Sequence, residues 1–132
     1  MKNIALTQNH LYRKVYRAGK HAAGKSIVVY ALKDTMASKL KKANPLKQKI
    51  NRVGISVSKK YGKAVERNRA KRIVREAYRL IAKEGELKTG YLIVLSIREG
   101  AKGRKTPEVY NEMKRAFHRI DMFMPQSLNP EN

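Results

Sequence analysis

Apolar positions recur at two different periods along this chain, and the switches between them mark its elements. After Thr7, a residue type that caps helices, Leu11 and Val15 recur at helical spacing until Gly19 supplies a stop, which predicts a short helix over about residues 8 to 18. Tyr12 and Tyr16 form a second stripe beside the apolar one, with Arg13 and Arg17 alongside. Residues 26 to 32 are rich in β-branched side chains and apolar at both alternating sets of positions, as in a strand covered at least partly on both faces; Val28, Tyr30 and Leu32 share one of them. Residues 52 to 58 alternate cleanly, with Val53, Ile55 and Val57 on one face and the small Gly54, Ser56 and Ser58 on the other.

Lys59, Lys60, Tyr61 and Gly62 make a turn into the longest predicted helix, from about Val65 to Lys83. Its buried face is defined by Ala70, Ile73, Val74, Ala77 and Ile81, while Arg67, Lys71 and Arg75 climb another face that Arg69 and Arg72 widen. A third strand is predicted from Tyr91 to about Ile97. Thr106-Pro107-Glu108 then has the cap, first-turn proline and acidic first turn of a helix start, and Tyr110, Met113, Phe117, Ile120 and Met124 keep one apolar side to about residue 124. The order helix, strand, strand, helix, strand, helix predicts an α+β fold, a small mixed sheet packed with helices. Residues 1–124 are expected to form one domain, with a frayed tail over 125–132.

Charge changes this picture. The 132 residues carry 31 Lys/Arg against 10 Asp/Glu, a formal net charge of +21. Up to residue 65 there are 16 basic residues and a single acid, Asp34. The stretch 39–51, KLKKANPLKQKIN, has five lysines, Pro45 and no acid, and is expected to be an exposed basic loop. Self-repulsion on this scale is offset by a polyanionic partner, nucleic acid before an anionic membrane. With no cysteine, a disulfide scaffold and thiolate chemistry are excluded. The first residues are too short and polar for a secretory signal and no apolar run reaches membrane-spanning length, so a soluble cytoplasmic protein without a membrane role is expected.

Candidate catalytic chemistry is sparse. No Walker-type phosphate loop and no nucleophile elbow occurs, and no pair of acids stands beside a histidine at metal-binding spacing. His10, His21 and His118 read as surface residues near helix ends, although a His10–His118 pair would be the candidate acid and base of a protein-only ribonuclease. Between Arg52 and Arg79 there are ten Lys/Arg and two Glu, too few acids for an ordinary solvated face, and phosphate binding is the better reading. For Tyr12, Tyr16 and Tyr30, stacking on single-stranded RNA and plain core packing stand level on the residues alone. Phe117, Phe123, Met113 and Met124 read as core.

Residues 52–79, RVGISVSKKYGKAVERNRAKRIVREAYR, closely resemble the signature of the bacterial ribonuclease P protein family, an Arg-Asn-Arg helix start after a Gly-x-Ser-Val-Ser-Lys-Lys strand-turn. Tyr12, Val15-Tyr16, Arg17, Gly19 and Tyr30 match a second family pattern. The resemblance implies an α/β sandwich with a left-handed β-α-β crossover, against the usual preference. It implies an endoribonuclease acting as a ribonucleoprotein that removes the 5′ leader from precursor tRNA. The RNA subunit would be catalytic and would bind most of the magnesium, with no cofactor of the protein's own and no obligate protein partner. It further implies that Lys59, Lys60, Arg67, Asn68, Arg69, Lys71, Arg72 and Arg75 contact the catalytic RNA, some of them ordering metal ions there. Tyr12, Tyr16 and Tyr30 would line a cleft for the single-stranded leader, and Ser56 and Ser58 are expected to leave room for its backbone.

The sequence departs from the family in three places. Tyrosine stands at the first two cleft positions where the family commonly has phenylalanine. The stretch 39–51 is longer and more basic than the usual connection. Leu95-Ser96-Ile97-Arg98-Glu99 replaces a strand that often ends in Ala-Arg-Pro, leaving Arg98 without an assigned role. Competing readings are a ribosomal-protein-like RNA-binding or RNA-chaperone module, which needs no leader cleft, and the histidine-based ribonuclease.

Overall fold

The computed structural model describes residues 4–6, 8–43 and 50–125. The expected Thr7 cap, the middle of the basic stretch and the frayed tail from 126 on lie outside the described residues. Five strands, β1 (Ile4–Ala5), β2 (Lys20–Ala23), β3 (Ile27–Lys33), β4 (Arg52–Val57) and β5 (Tyr91–Ile97), form one sheet in the order β1-β4-β5-β3-β2. Four helices, α1 (Asn9–Ala18), α2 (Ala37–Ala43), α3 (Ala64–Lys83) and α4 (Thr106–Arg119), follow β1, β3, β4 and β5 in turn, and 3-10 turns occupy Lys59–Tyr61 and Glu99–Ala101. Strand β4 runs parallel to β1 and β5, whereas β3 is antiparallel to β5 and β2, so the sheet is mixed and the architecture α+β.

The period-2 positions sort onto the two faces as their polarity dictates. Ile27, Val29, Ala31, Val53, Ile55, Ile93, Leu95 and Ile97 meet Val74, Ala77 and Ile81 of α3 and Val109, Met113 and Phe117 of α4 in the main core. Fully burying a side chain such as Ile81 or Phe117 contributes about 1.5–3 kcal/mol, so this layer dominates the stability. The opposite face carries a smaller core of Leu6, Val15, Leu92 and Val94, against which Leu11, Tyr12, Tyr30 and Leu32 pack. Helix α1 thus packs on one face, and α3 and α4 share the other.

Three elements exceed the pattern-based expectation. Strand β1 has only two residues, and β2 is an edge strand, Lys-His-Ala-Ala, in which Ala22 alone is buried, so neither shows a readable alternation. The basic stretch is not an exposed loop throughout. Residues 37–43 are helix α2, started by Asp34, whose Oδ1 accepts the Met36 N–H at 2.9 Å, and Ile50 and Asn51 are buried. Asn51 is a stitch: its Nδ2 donates to the Lys88 carbonyl at 3.0 Å and its Oδ1 accepts the Tyr91 N–H at 2.9 Å.

Helix boundaries differ at both ends of the chain. Gln8 stands at the cap of α1 without a side-chain bond, and Lys105, not Thr106, caps α4, its N–H held by the Glu108 side chain at 3.2 Å. Helix α4 ends at Arg119, and Asp121, at φ 58°, turns the chain. Met122 and Phe123 stay buried there, and Phe123 bridges to Leu87. Met124 is beyond that turn and 49% exposed, so it is not a core residue.

Candidate RNA interface

Val15 is fully buried over Leu92 and Val94, and this contact seats α1 on its sheet face. With Val15 inward, the helical period places Tyr12 at the margin toward β4 and leaves Tyr16 39% exposed. The Tyr12 hydroxyl donates to the Leu6 carbonyl at 3.0 Å, where β1 leaves β4. Burial raises the pKa of this phenol and the neighbouring Tyr16 adds to the rise, while a hydrogen bond from the Ile55 backbone opposes it. The hydroxyl therefore stands between the Leu6 carbonyl and the Ile55 amide, groups that the next step of the parallel ladder would have paired. Its proton is committed to the protein.

Tyr16 reaches across the sheet, its hydroxyl 3.0 Å from Ser96 Oγ on β5. Its ring meets Tyr30 edge-on with centroids 4.9 Å apart, Tyr12 lies 6.5 Å away on the other side, and His21 stacks against Tyr30 at 5.5 Å. Four rings thus form one row from the β4 edge to the β2 edge. The register of β3, β4 and β5 makes this possible, because Tyr30, Val94 and Gly54 are cross-strand partners and so are Val28, Ser96 and Ser56.

An open groove of about 720 Å³ runs beside this row, walled by Tyr12, Tyr16, Arg13, Ser56 and Lys71. A second, of about 450 Å³, is lined by Tyr12, Gly54, Ile55, Lys71 and Arg75. Lys71 belongs to both, so the basic stripe of α3 rounds the β4 edge and meets the tyrosines there. Tyr30 is half-buried behind Tyr16 and is not part of either wall. Ser58 is not in the groove: its Oγ accepts the Lys60 N–H at 3.1 Å and caps the 3-10 turn.

On α3, Glu66 accepts the Lys63 N–H at 3.0 Å and Arg67 Nη1 donates to the Gly62 carbonyl at 2.7 Å, which fixes the helix start to the turn before it. Arg69, Arg72 and Arg75 are exposed, as are Asn68, Lys59 and Lys60. Arg69, Lys71, Arg72 and Arg75 have no ion-pair partner among the described residues, whereas Arg79 is spent on Glu76 at 2.5 Å. His10 and His118 lie on helices packed against opposite sheet faces and cannot act as one acid-base pair. Among the described residues no group of three or more potential ligands for a metal ion occurs, and no helix is long and apolar enough to cross a membrane. Sequence reasoning missed Ser96, Gly54 and Leu6, whose parts depend on strand register.

A basic α+β domain with an aromatic row opening onto a cationic groove defines an RNA-binding protein. The family model described as Ribonuclease P matches residues 1–121, and the chain belongs to that family. It is similar to the ribonuclease P protein component of Clostridioides difficile, 40% identical over 111 residues covering 84% of this chain and 86% of the relative. With that of Clostridium acetobutylicum it shares 33% over 129 residues, 98% of each chain. Among solved structures, the Staphylococcus aureus RNase P protein superposes with a TM-score of 0.71 at 26% identity, over 93% of this chain and all of that one. The Thermotoga maritima RNase P protein gives 0.65 at 25% identity, over 84% and 92%. The chain is accordingly a protein subunit of ribonuclease P, which acts in tRNA processing.

Proposed function

We propose that this subunit binds a catalytic RNA through α3 and its preceding turn and guides the single-stranded 5′ leader of precursor tRNA along the tyrosine groove. The RNA subunit performs the hydrolysis with its own magnesium ions, and the protein, working in the cytoplasm, tightens substrate binding when magnesium is scarce. The observation that carries the reading is the meeting at Lys71 of an aromatic row and an unpaired cationic stripe. Aromatic faces bind bases without regard to sequence, as leaders of differing sequence require, and cations track the backbone beside them. Lys59, Lys60, Arg67, Asn68, Arg69, Lys71, Arg72 and Arg75 contact the catalytic RNA in this reading; Tyr12 and Tyr16 wall the leader groove and Tyr30 backs Tyr16.

Leader cleavage of precursor tRNA at low magnesium is measured with protein alone, a bacterial ribonuclease P RNA alone, and both. Cleavage only with both is the expected result. Cleavage by repurified protein alone would place the chemistry in the protein and overturn this reading.

A further inference from the structure

We propose that the turn between β2 and β3, together with the outer side of α4, forms a second phosphate-binding site that takes an RNA backbone segment separate from the one on α3. The proposal rests on the RNA-binding reading for the identity of its ligand.

The turn is held by three charged side chains from later in the chain, one just after β5 and two on α4. Arg119 Nη1 donates to the Ala23 carbonyl at 3.1 Å and Arg98 Nη1 to the Gly24 carbonyl at 2.9 Å. Behind it, Oε2 of the buried Glu112 accepts the N–H groups of Ser26 and Ile27 at 2.7 and 3.1 Å. Residue 24 must be glycine for this to close, since a Cβ would lie 2.5 Å from that oxygen. A groove of about 290 Å³ results, lined by Lys25, Arg104, Arg115 and Arg119, and Arg98 joins Lys25 on the adjoining surface.

Five cations and one carboxylate thus line these two adjoining surfaces. Glu112 has one oxygen committed to two amides and the other 3.7 Å from Arg104, so it does not neutralise the rest. A guanidinium has five N–H donors, and those of Arg98 and Arg119 not used on the turn are held in a fixed orientation. Bidentate phosphate recognition needs that arrangement. Lys25 and Arg115 have no hydrogen-bond or ion-pair partner among the described residues. None of the exposed large apolar side chains, Tyr16, Met36, Val65 and Met124, lines either surface, which favours a nucleic-acid backbone over a lipid surface. Strands β2 and β4 are three inter-strand spacings apart, roughly 14 Å, so one phosphate does not serve both this site and the Lys71 end of the α3 stripe.

The test is a double variant, Lys25→Gln/Arg115→Gln, which removes two charges that hold nothing in the fold. A control pair, Lys33→Gln/Lys83→Gln, removes two exposed charges from the other end of the sheet and of α3. Each is titrated against a bacterial ribonuclease P RNA over a salt series, with thermal melting confirming the fold. For the site pair the log–log salt slope is expected to be shallower by about 1.8, and affinity at 0.15 M salt roughly thirtyfold weaker, with the control pair retaining the parent slope. A parent-like slope in the site pair, or an equal loss in the control pair, overturns the second site alone. Salt-independent or absent RNA binding by the parent protein would overturn the underlying reading as well.

Discussion

The hydroxyl of Tyr12 occupies the space that a side chain at residue 54 would need: a Cβ there would lie 2.2 Å from the phenol oxygen and 2.5 Å from Cζ. Gly54 therefore matters for what lies above it, not for its backbone angles. Gly54→Ala is expected to push the Tyr12 ring off the Leu6 carbonyl and lower stability by about 1–3 kcal/mol, as overpacking does. Urea denaturation measures this, and an unchanged midpoint would mean that the ring is not held there.

Tyr16 is the most exposed tyrosine of the row and the one best placed to stack on a base. Tyr16→Ala is expected to weaken precursor tRNA binding by the holoenzyme by about 1–3 kcal/mol while mature tRNA binding stays the same. Tyr16→Phe loses only the Ser96 contact and should retain most of the affinity. Equal losses for precursor and mature tRNA would remove the leader from the groove.

Asp34 and Arg52 form a two-point pair, Nε to Oδ2 at 2.7 Å and Nη2 to Oδ1 at 2.9 Å, with the carboxylate buried. Burial pushes the Asp34 carboxyl up, but the Arg52 guanidinium, the Met36 amide and Lys14 together hold it below its ordinary value. A carboxyl depressed in the fold stabilises above its unfolded value of about 3.9, and that contribution is lost as pH falls through the lower folded value. Asp34→Asn should cost about 1–3 kcal/mol at neutral pH, and the gap from the parent should close in acid. Denaturation curves at neutral and acid pH decide it; a constant gap would show that charge is not what the pair contributes.

Glu112 leaves two amides without partners if it is removed, since Ser26 and Ile27 both donate to the same oxygen. Glu112→Ala is expected to destabilise by about 2–4 kcal/mol and to free the β2–β3 turn. Hydrogen exchange at Ser26 and Ile27 should rise more than at β5 amides. Uniform acceleration would indicate a global effect instead.

Helices α1, α3 and α4 and strands β3, β4 and β5 are legible as sequence because each buries a face large enough to impose its own period. The family is legible too, since the Arg-Asn-Arg segment gathers its residues within a few turns of one helix. Strands β1 and β2 are not, because a two-residue strand and an edge strand with one buried residue have no period to read. Helix α2 is hidden for another reason: only Ala37 on it is buried, and its lysines suit a loop as well as a helix.

By itself, the sequence determined a basic α+β protein, its arginine-rich helix and the tyrosines of α1, all matters of local composition and spacing. Tertiary structure alone decided that Lys71 joins the tyrosine groove, that Tyr12 closes the sheet edge over Gly54, and that Arg98 and Arg119 clasp a turn more than 70 residues earlier in the chain. Those relationships depend on strand order and register, which are set by how whole faces pack. No local run of residues encodes them.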